Sequence, residues 1–84
     1  MIGFLNMNQN LKKLQAIHIC SKLGEHIRAI RKDKGLSVAE IAFKADIDSQ
    51  NLRKYELGKQ EMKVSMLLRI AKALDVEPKD LLDF

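Results

Sequence analysis

Within Ser37–Gly58, SVAEIAFKADIDSQNLRKYELG, two helix-start signals follow each other so closely that only two brief helices and a tight turn fit between them and the next stop. Ser37-x-x-Glu40 is a capping box. Its hydroxyl can accept from the backbone N–H of Glu40, while the carboxylate reaches back to the N–H of Ser37, and Leu36 with Ile41 forms the matching hydrophobic staple. Asp48 is a second N-cap, stapled by Ile47 and Leu52, and Gly58 supplies a stop. The pattern predicts helices over Val38–Ala45 and about Ser49–Leu57. Asp46 must then carry the turn in the left-handed region, which Asp tolerates better than most non-glycine residues.

On a wheel at about 100° per residue, Leu52, Tyr55 and Glu56 share one side of the second helix, while Gln50, Lys54 and Leu57 point the other way with Arg53 on the flank. The first helix turns Ile41, Ala42 and Ala45 inward, small enough for close approach to a crossing helix. An outward face of amide, ammonium and guanidinium, carried on a short braced helix, can be laid into the major groove of DNA.

The remaining segments read as support. Leu23, Ile27 and Ile30 form the buried stripe of a helix expected over about Ser21–Lys34, with Arg28, Arg31, Lys32 and Lys34 crowding its C-terminal half and Gly35 as its left-handed stop. After the basic loop Lys59–Lys63, a fourth helix is expected over about Val64–Leu74, with Leu67, Leu68, Ile70, Ala71 and Leu74 as its apolar stripe. Met62 staples it and Lys63 caps it poorly. Glu77-Pro78 starts a short fifth helix through Leu82, and Phe84 is expected to pack down. Residues 1–10 show no sustained period and read as a loose lead-in. Leu11, Leu14, Ile17 and His18 have helical spacing, either as an extra N-terminal helix or as a continuation of the next one. The expected organisation is a 1–20 extension and a 21–84 domain, all-α, with the 1–20 arm as one candidate dimer contact.

The charge is uneven. Residues 22–63 carry ten basic and seven acidic side chains, net +3, and residues 64–84 three and four, net −1. A cationic front with a near-neutral back suits a polyanion on one side. The single Cys20 allows no internal disulfide and fits a reducing cytoplasm. His18 and His26 are not spaced to share a metal, no apolar run is long enough for a membrane span, and Met1–Leu5 is too short for a signal peptide. No nucleophile–base pair or phosphate-cradling glycine loop is present, so neither an enzyme nor a cofactor is expected.

Taken in order, LGEHIRAIRKDKGLS, AEIAFKADID, NLRKYELGK and MLLRIAKALDVEPKDLL resemble the phage-repressor and Cro-type, or XRE-like, helix-turn-helix family over residues 23–82. The resemblance implies a compact five-helix, repressor-type domain with the second helix across the DNA backbone and the third in the major groove. It implies base-facing roles for Ser49, Gln50 and Lys54, and a pair between Arg31 and Glu56. Three positions depart from the family pattern: Val38 where Gln is frequent, Asp46 in place of the turn Gly, and Met62 in place of Pro.

The candidate base-contacting residues are thus Ser49, Gln50, Arg53 and Lys54. Gln50 suits the N6/N7 edge of adenine and Lys54 the O6/N7 edge of guanine. Ser37, Lys44, Asn51, Lys59 and Lys63 are candidates for the phosphate backbone, through helix N-termini and ammonium groups. The expected activity is that of a sequence-specific regulator of double-stranded DNA, a repressor binding a near-palindromic operator as a homodimer. The alternative from the same residues is a protein-interaction module, or a toxin–antitoxin antitoxin, with weak or no DNA binding of its own.

Overall fold

The computed structural model describes residues 2–84, and the side chains of residues 11–84. Five helices succeed one another: α1 (Ile2–Asp33), α2 (Val38–Ala45), α3 (Ser49–Glu56), α4 (Val64–Leu74) and α5 (Pro78–Leu81). Among the described residues there is no strand.

The first helix departs most from the sequence expectation. Instead of starting near Ser21, it is one unbroken helix from Ile2, so residues 2–10 are helical rather than a loose lead-in, while Leu11–Cys20 is a continuation of the next helix, one of the two readings its spacing left open. No proline interrupts this stretch, and Gly24 is held by packing. The position of residue 20 is marked by burial instead: residues 11–19 are exposed, and contact with the body begins at Cys20 and Ser21.

Four of the helices end in the same backbone device. After α1, Gly35 N–H donates to the carbonyl of Lys32 at 2.9 Å and Leu36 N–H to that of Arg31 at 3.1 Å. The pairs Asp46–Phe43 and Ile47–Ala42 close α2, Gly58–Tyr55 and Lys59–Lys54 close α3, and Asp75–Lys72 and Val76–Ala71 close α4. These paired bonds satisfy carbonyls that the helix itself leaves free, and each needs one left-handed residue. Asp46 (φ 56°) and Asp75 (φ 58°) fill that place in α2 and α4.

The core consists of Ile27 from α1, Ile41, Ala42 and Ala45 from α2, Leu52 and Tyr55 from α3, Ile70, Ala71, Ala73 and Leu74 from α4, and Leu81 from α5. Leu23, Ile30, Val38, Met62 and Leu67 pack around it, half-buried. Two expectations fail at the edge. Leu68 stands 49 % exposed and Phe84 54 % exposed, the latter tilted against His26 with ring centroids 6.2 Å apart. The four residues of α5 bury only Leu81, and both side chains are left about half uncovered.

α1 lies against α3 and α5, and α2 against α3 and α4. The approach of α1 to α3 is set by Gly24. A Cβ there would sit 2.5 Å from the carbonyl oxygen of Glu56 and closer still to that of Tyr55. On the other side, His26 donates from Nε2 to the carbonyl of Asp80 at 2.6 Å, tying α1 to α5.

Candidate nucleic-acid interface

The two central helices begin where the caps place them. Ser37 Oγ accepts from Glu40 N–H at 3.0 Å, and the Glu40 carboxylate accepts from Ser37 N–H at 3.2 Å. At the start of α3, Asp48 Oδ1 accepts from Gln50 N–H at 3.3 Å. Both caps leave other first-turn N–H groups free, pointing outward with the positive end of the helix dipole.

The turn between them has a second support. Arg69, on α4, donates from Nε to the carbonyl of Ala45 at 2.9 Å and from Nη2 to the carbonyl of Asp46, with the Asp46 carboxylate 3.9 Å away. One guanidinium therefore occupies the C-terminal carbonyls of α2, where a cation is favoured. Sequence reasoning missed this contact. Arg69 lies more than twenty residues from the turn and carries no local signal.

A second guanidinium fixes the far end of α3. Arg31 Nε and Nη2 reach the two carboxylate oxygens of Glu56 at 2.7 and 3.0 Å, and Nη1 donates to the carbonyl of Leu36 at 2.8 Å. Both side chains are buried. The hydrogen bonds to Glu56 raise the pKa of Arg31, burial opposes this, and the nearby negative charge adds to the rise. The fork geometry matches carboxylate in a way lysine could not. α1, the loop before α2, and α3 are thereby joined at one point.

With the turn before it and its C-terminal end held, α3 turns Leu52, Tyr55 and Glu56 inward and leaves Gln50, Arg53 and Lys54 exposed; Ser49 and Asn51 are half-buried at its N-terminal end. Lys44 is exposed on the last turn of α2, Ser37 is exposed at its N-terminus, and Lys59 and Lys63 are exposed on the loop after α3. Leu57 stands outward, 57 % exposed.

Val38, where the resemblance leads one to expect Gln, is half-buried. It lines a recess of about 230 Å³ with Arg28, Arg31, Arg53, Glu56 and Leu57. Because Arg31 is taken by Glu56, the free cations of this recess are Arg28 and Arg53. Arg28 was not singled out from the sequence, although its place in the basic C-terminal half of α1 was visible. Phe43 was also missed: it is 86 % exposed on α2, on the side opposite Ile41. Among the described residues no group of three or more His, Cys, Asp or Glu side chains could hold a metal, and no helix is long and apolar enough to cross a membrane.

Comparison with known proteins fits this geometry. The control protein C.BamHI of Bacillus amyloliquefaciens is 37 % identical over 62 residues, 73 % of this chain and 76 % of that protein. The crystal structure of the restriction-modification controller protein C.AhdI from Aeromonas hydrophila superposes with a TM-score of 0.73 at 34 % identity, covering 74 % of this chain and 94 % of that one. SinR, a master regulator for biofilm formation whose structure was solved in complex with DNA, gives a TM-score of 0.68 at 34 % identity over 73 % of this chain and 98 % of its own. The sequence model of the helix-turn-helix family (HTH_3) matches residues 27–81, well over half of the chain and the whole of the site just described, so this protein belongs to the helix-turn-helix family of DNA-binding transcriptional regulators.

Proposed function

We propose that the protein represses transcription as a homodimer in the cytoplasm, each copy laying α3 into the major groove of one half of a near-palindromic operator. The observation that carries this reading is the division of α3. Leu52, Tyr55 and Glu56 anchor it, while Gln50, Arg53 and Lys54 remain exposed on a helix whose preceding turn is held by Arg69 and whose C-terminal end is held by Arg31. A side chain held on a fixed helix can select a base edge, because the error in its position is small compared with the spacing of donors and acceptors in the groove.

In this reading Ser49, Gln50 and Lys54 face base edges. Arg53 reaches the last base or, from the recess it shares with Arg28, the phosphate beside it. Ser37, Asn51, Lys44, Lys59 and Lys63 hold the sugar–phosphate backbone, and Arg28 takes over the phosphate contact that Val38 cannot make. The exposed ring of Phe43 suits packing on a deoxyribose or a thymine methyl.

The similarity to two control proteins along most of their length supports a more specific place for the protein, as a controller within a restriction-modification system. Selecting bound sequences from a random DNA pool tests the reading. The expected result is a two-fold motif with half-sites about one helical turn, ~34 Å, apart. The alternative, a protein-interaction module on this fold, predicts no enriched motif and binding that does not respond to salt. True DNA binding gives log affinity falling with log salt at about −0.9 per phosphate contacted.

A further inference from the structure

The N-terminal part of α1 carries an apolar stripe that its own domain cannot cover. Leu11 (53 %), Leu14 (61 %) and Ile17 (60 %) are all exposed, and Leu11 and Leu14 line a shallow, largely apolar groove with Gln15, His18 and Ile19. At roughly 100° per residue, His18 and Ile27, nine positions apart, lie about half a turn from each other on the helix. Ile27 is the fully buried anchor of α1 in the core. The stripe through Leu11, Leu14 and His18 therefore faces away from the body, and a straight helix has no means of bringing it back. A lone helical arm of this length is also marginal in water without a packed face.

We propose that this stripe is a pairing seam for the α1 arm of a second copy of the chain, running parallel to the first. Three observations select that partner. First, the stripe has the three-then-four spacing of a coiled-coil seam, Leu11 and Leu14 followed by His18, and in the sequence the same spacing runs back through Met7 and Phe4.

Second, with Leu11 and Leu14 in the a and d places of the heptad, the flanking e and g places hold Gln15, Ile17 and Asn10, none of them charged. Lys12 and Lys13, the only charged residues before Lys22, fall in the outer b and c places. Identical copies can then lie side by side without like charges meeting, the condition a two-fold interface imposes. On the same face, Lys22 and Glu25 follow as an ion pair at 4.0 Å, so the seam ends where the body begins.

Third, the geometry suits the dimeric reading above, on which the choice of orientation rests. The molecule measures 50 × 23 × 20 Å, its long axis set by α1. Axes paired at roughly 8–10 Å, with each body on the far side of its own helix, put the two domain centres roughly 30 Å apart, near the ~34 Å between adjacent half-sites. An antiparallel pair would place the bodies at opposite ends of the arms, well beyond that distance.

Sedimentation of the full chain without DNA, over a range of concentrations, tests the seam. The wild type is expected to show a monomer–dimer equilibrium, and the double variant Leu11→Glu, Leu14→Glu to raise the dimer dissociation constant at least about tenfold while its core domain still unfolds cooperatively, since both side chains are exposed in the single copy. As an independent measure, Leu14→Cys in a Cys20→Ser background is expected to form a disulfide-linked dimer on mild oxidation, because equivalent d positions face each other in a parallel pair. A double variant as dimeric as the wild type overturns the proposal and moves the contact elsewhere, for instance to Leu82 and Phe84. A wild type that stays monomeric but binds phosphatidylglycerol vesicles through the same leucines overturns it in favour of a membrane-surface role. A failure of the protein to bind DNA would sink the regulator reading and leave this result standing.

Discussion

Arg69 holds the carbonyl of Ala45 at 2.9 Å, and through it the turn that orients α3 is governed from α4 rather than from the turn's own residues. The same guanidinium donates to the carbonyl of Asp46. Asp46 stands where a glycine would adopt the left-handed conformation without strain, so the clamp secures a turn that is intrinsically less comfortable. Arg69→Ala is expected to cost about 1 kcal/mol in chemical denaturation, modest because the side chain is partly exposed. It is also expected to weaken DNA binding on every sequence alike. Arg69→Lys, which keeps the charge but loses the planar fork, should fall between the two. Equal affinities for wild type and Arg69→Ala would remove the clamp from the account.

The buried pair of Arg31 and Glu56 should behave as a unit. Arg31→Met or Glu56→Leu alone leaves a buried, unpaired charge and is expected to cost about 3–5 kcal/mol, whereas the double variant should recover much of that loss. A double-mutant cycle by urea denaturation measures the coupling. The folded-state pKa of Arg31 is raised, chiefly by its hydrogen bond to Glu56. Its contribution is thus complete below the ordinary arginine range and is lost only as pH rises through the raised value. The guanidinium's share of the coupling should therefore stay constant from neutral to mildly alkaline conditions.

Gly24 and Gly35 separate packing from backbone strain. Gly24→Ala drives a methyl group into the carbonyls at the end of α3, backbone atoms that cannot swing aside. Overpacking of this kind costs about 1–3 kcal/mol and should displace α3, lowering DNA affinity by more than the change in stability explains. Gly35→Ala meets nothing within 4 Å and bears only the penalty of its positive φ of 68°, about 1–2 kcal/mol, with DNA binding preserved in the folded fraction. Thermal unfolding paired with a DNA titration distinguishes the two.

Lys54 and Lys59 are both exposed lysines near α3, yet their expected roles differ. Lys54→Ala should relax preference at one base pair of each half-site, at about 1–3 kcal/mol of discrimination. Lys59→Ala should weaken binding equally on all sequences and reduce the salt slope by about 0.9. Footprinting on the selected motif and on single-base variants reads both effects, and the reverse pattern would exchange the assignments.

Arg28 offers a direct test of the recess beside Val38. Arg28→Ala is expected to flatten the salt slope by about 0.9, as for a phosphate contact. Val38→Gln in that background should restore part of the lost affinity by supplying the amide. No rescue would mean that the recess lies off the DNA path.

What the sequence determined by itself was local. Ser37 with Glu40, and Asp48 ahead of Gln50, mark helix starts because a cap is satisfied within two or three residues of itself, and every such bond lies inside a readable window. The left-handed place of Asp46 follows from the same locality, since its N–H and that of Ile47 return to carbonyls of the preceding turn. Periodicity likewise divided α3 correctly into the buried Leu52, Tyr55 and Glu56 and the exposed Gln50, Arg53 and Lys54. Tertiary structure decided what depends on how helices cross. Arg69 meets the carbonyl of Ala45 only because α4 packs on α2 at that angle, and Gly24 matters only because α1 approaches the end of α3 so closely. The exposure of Leu68 and Phe84 depended on how little surface a four-residue α5 can cover. Propensity acts over a few residues, while these contacts join positions more than twenty apart, and no spacing along the chain encodes the crossing that brings them together.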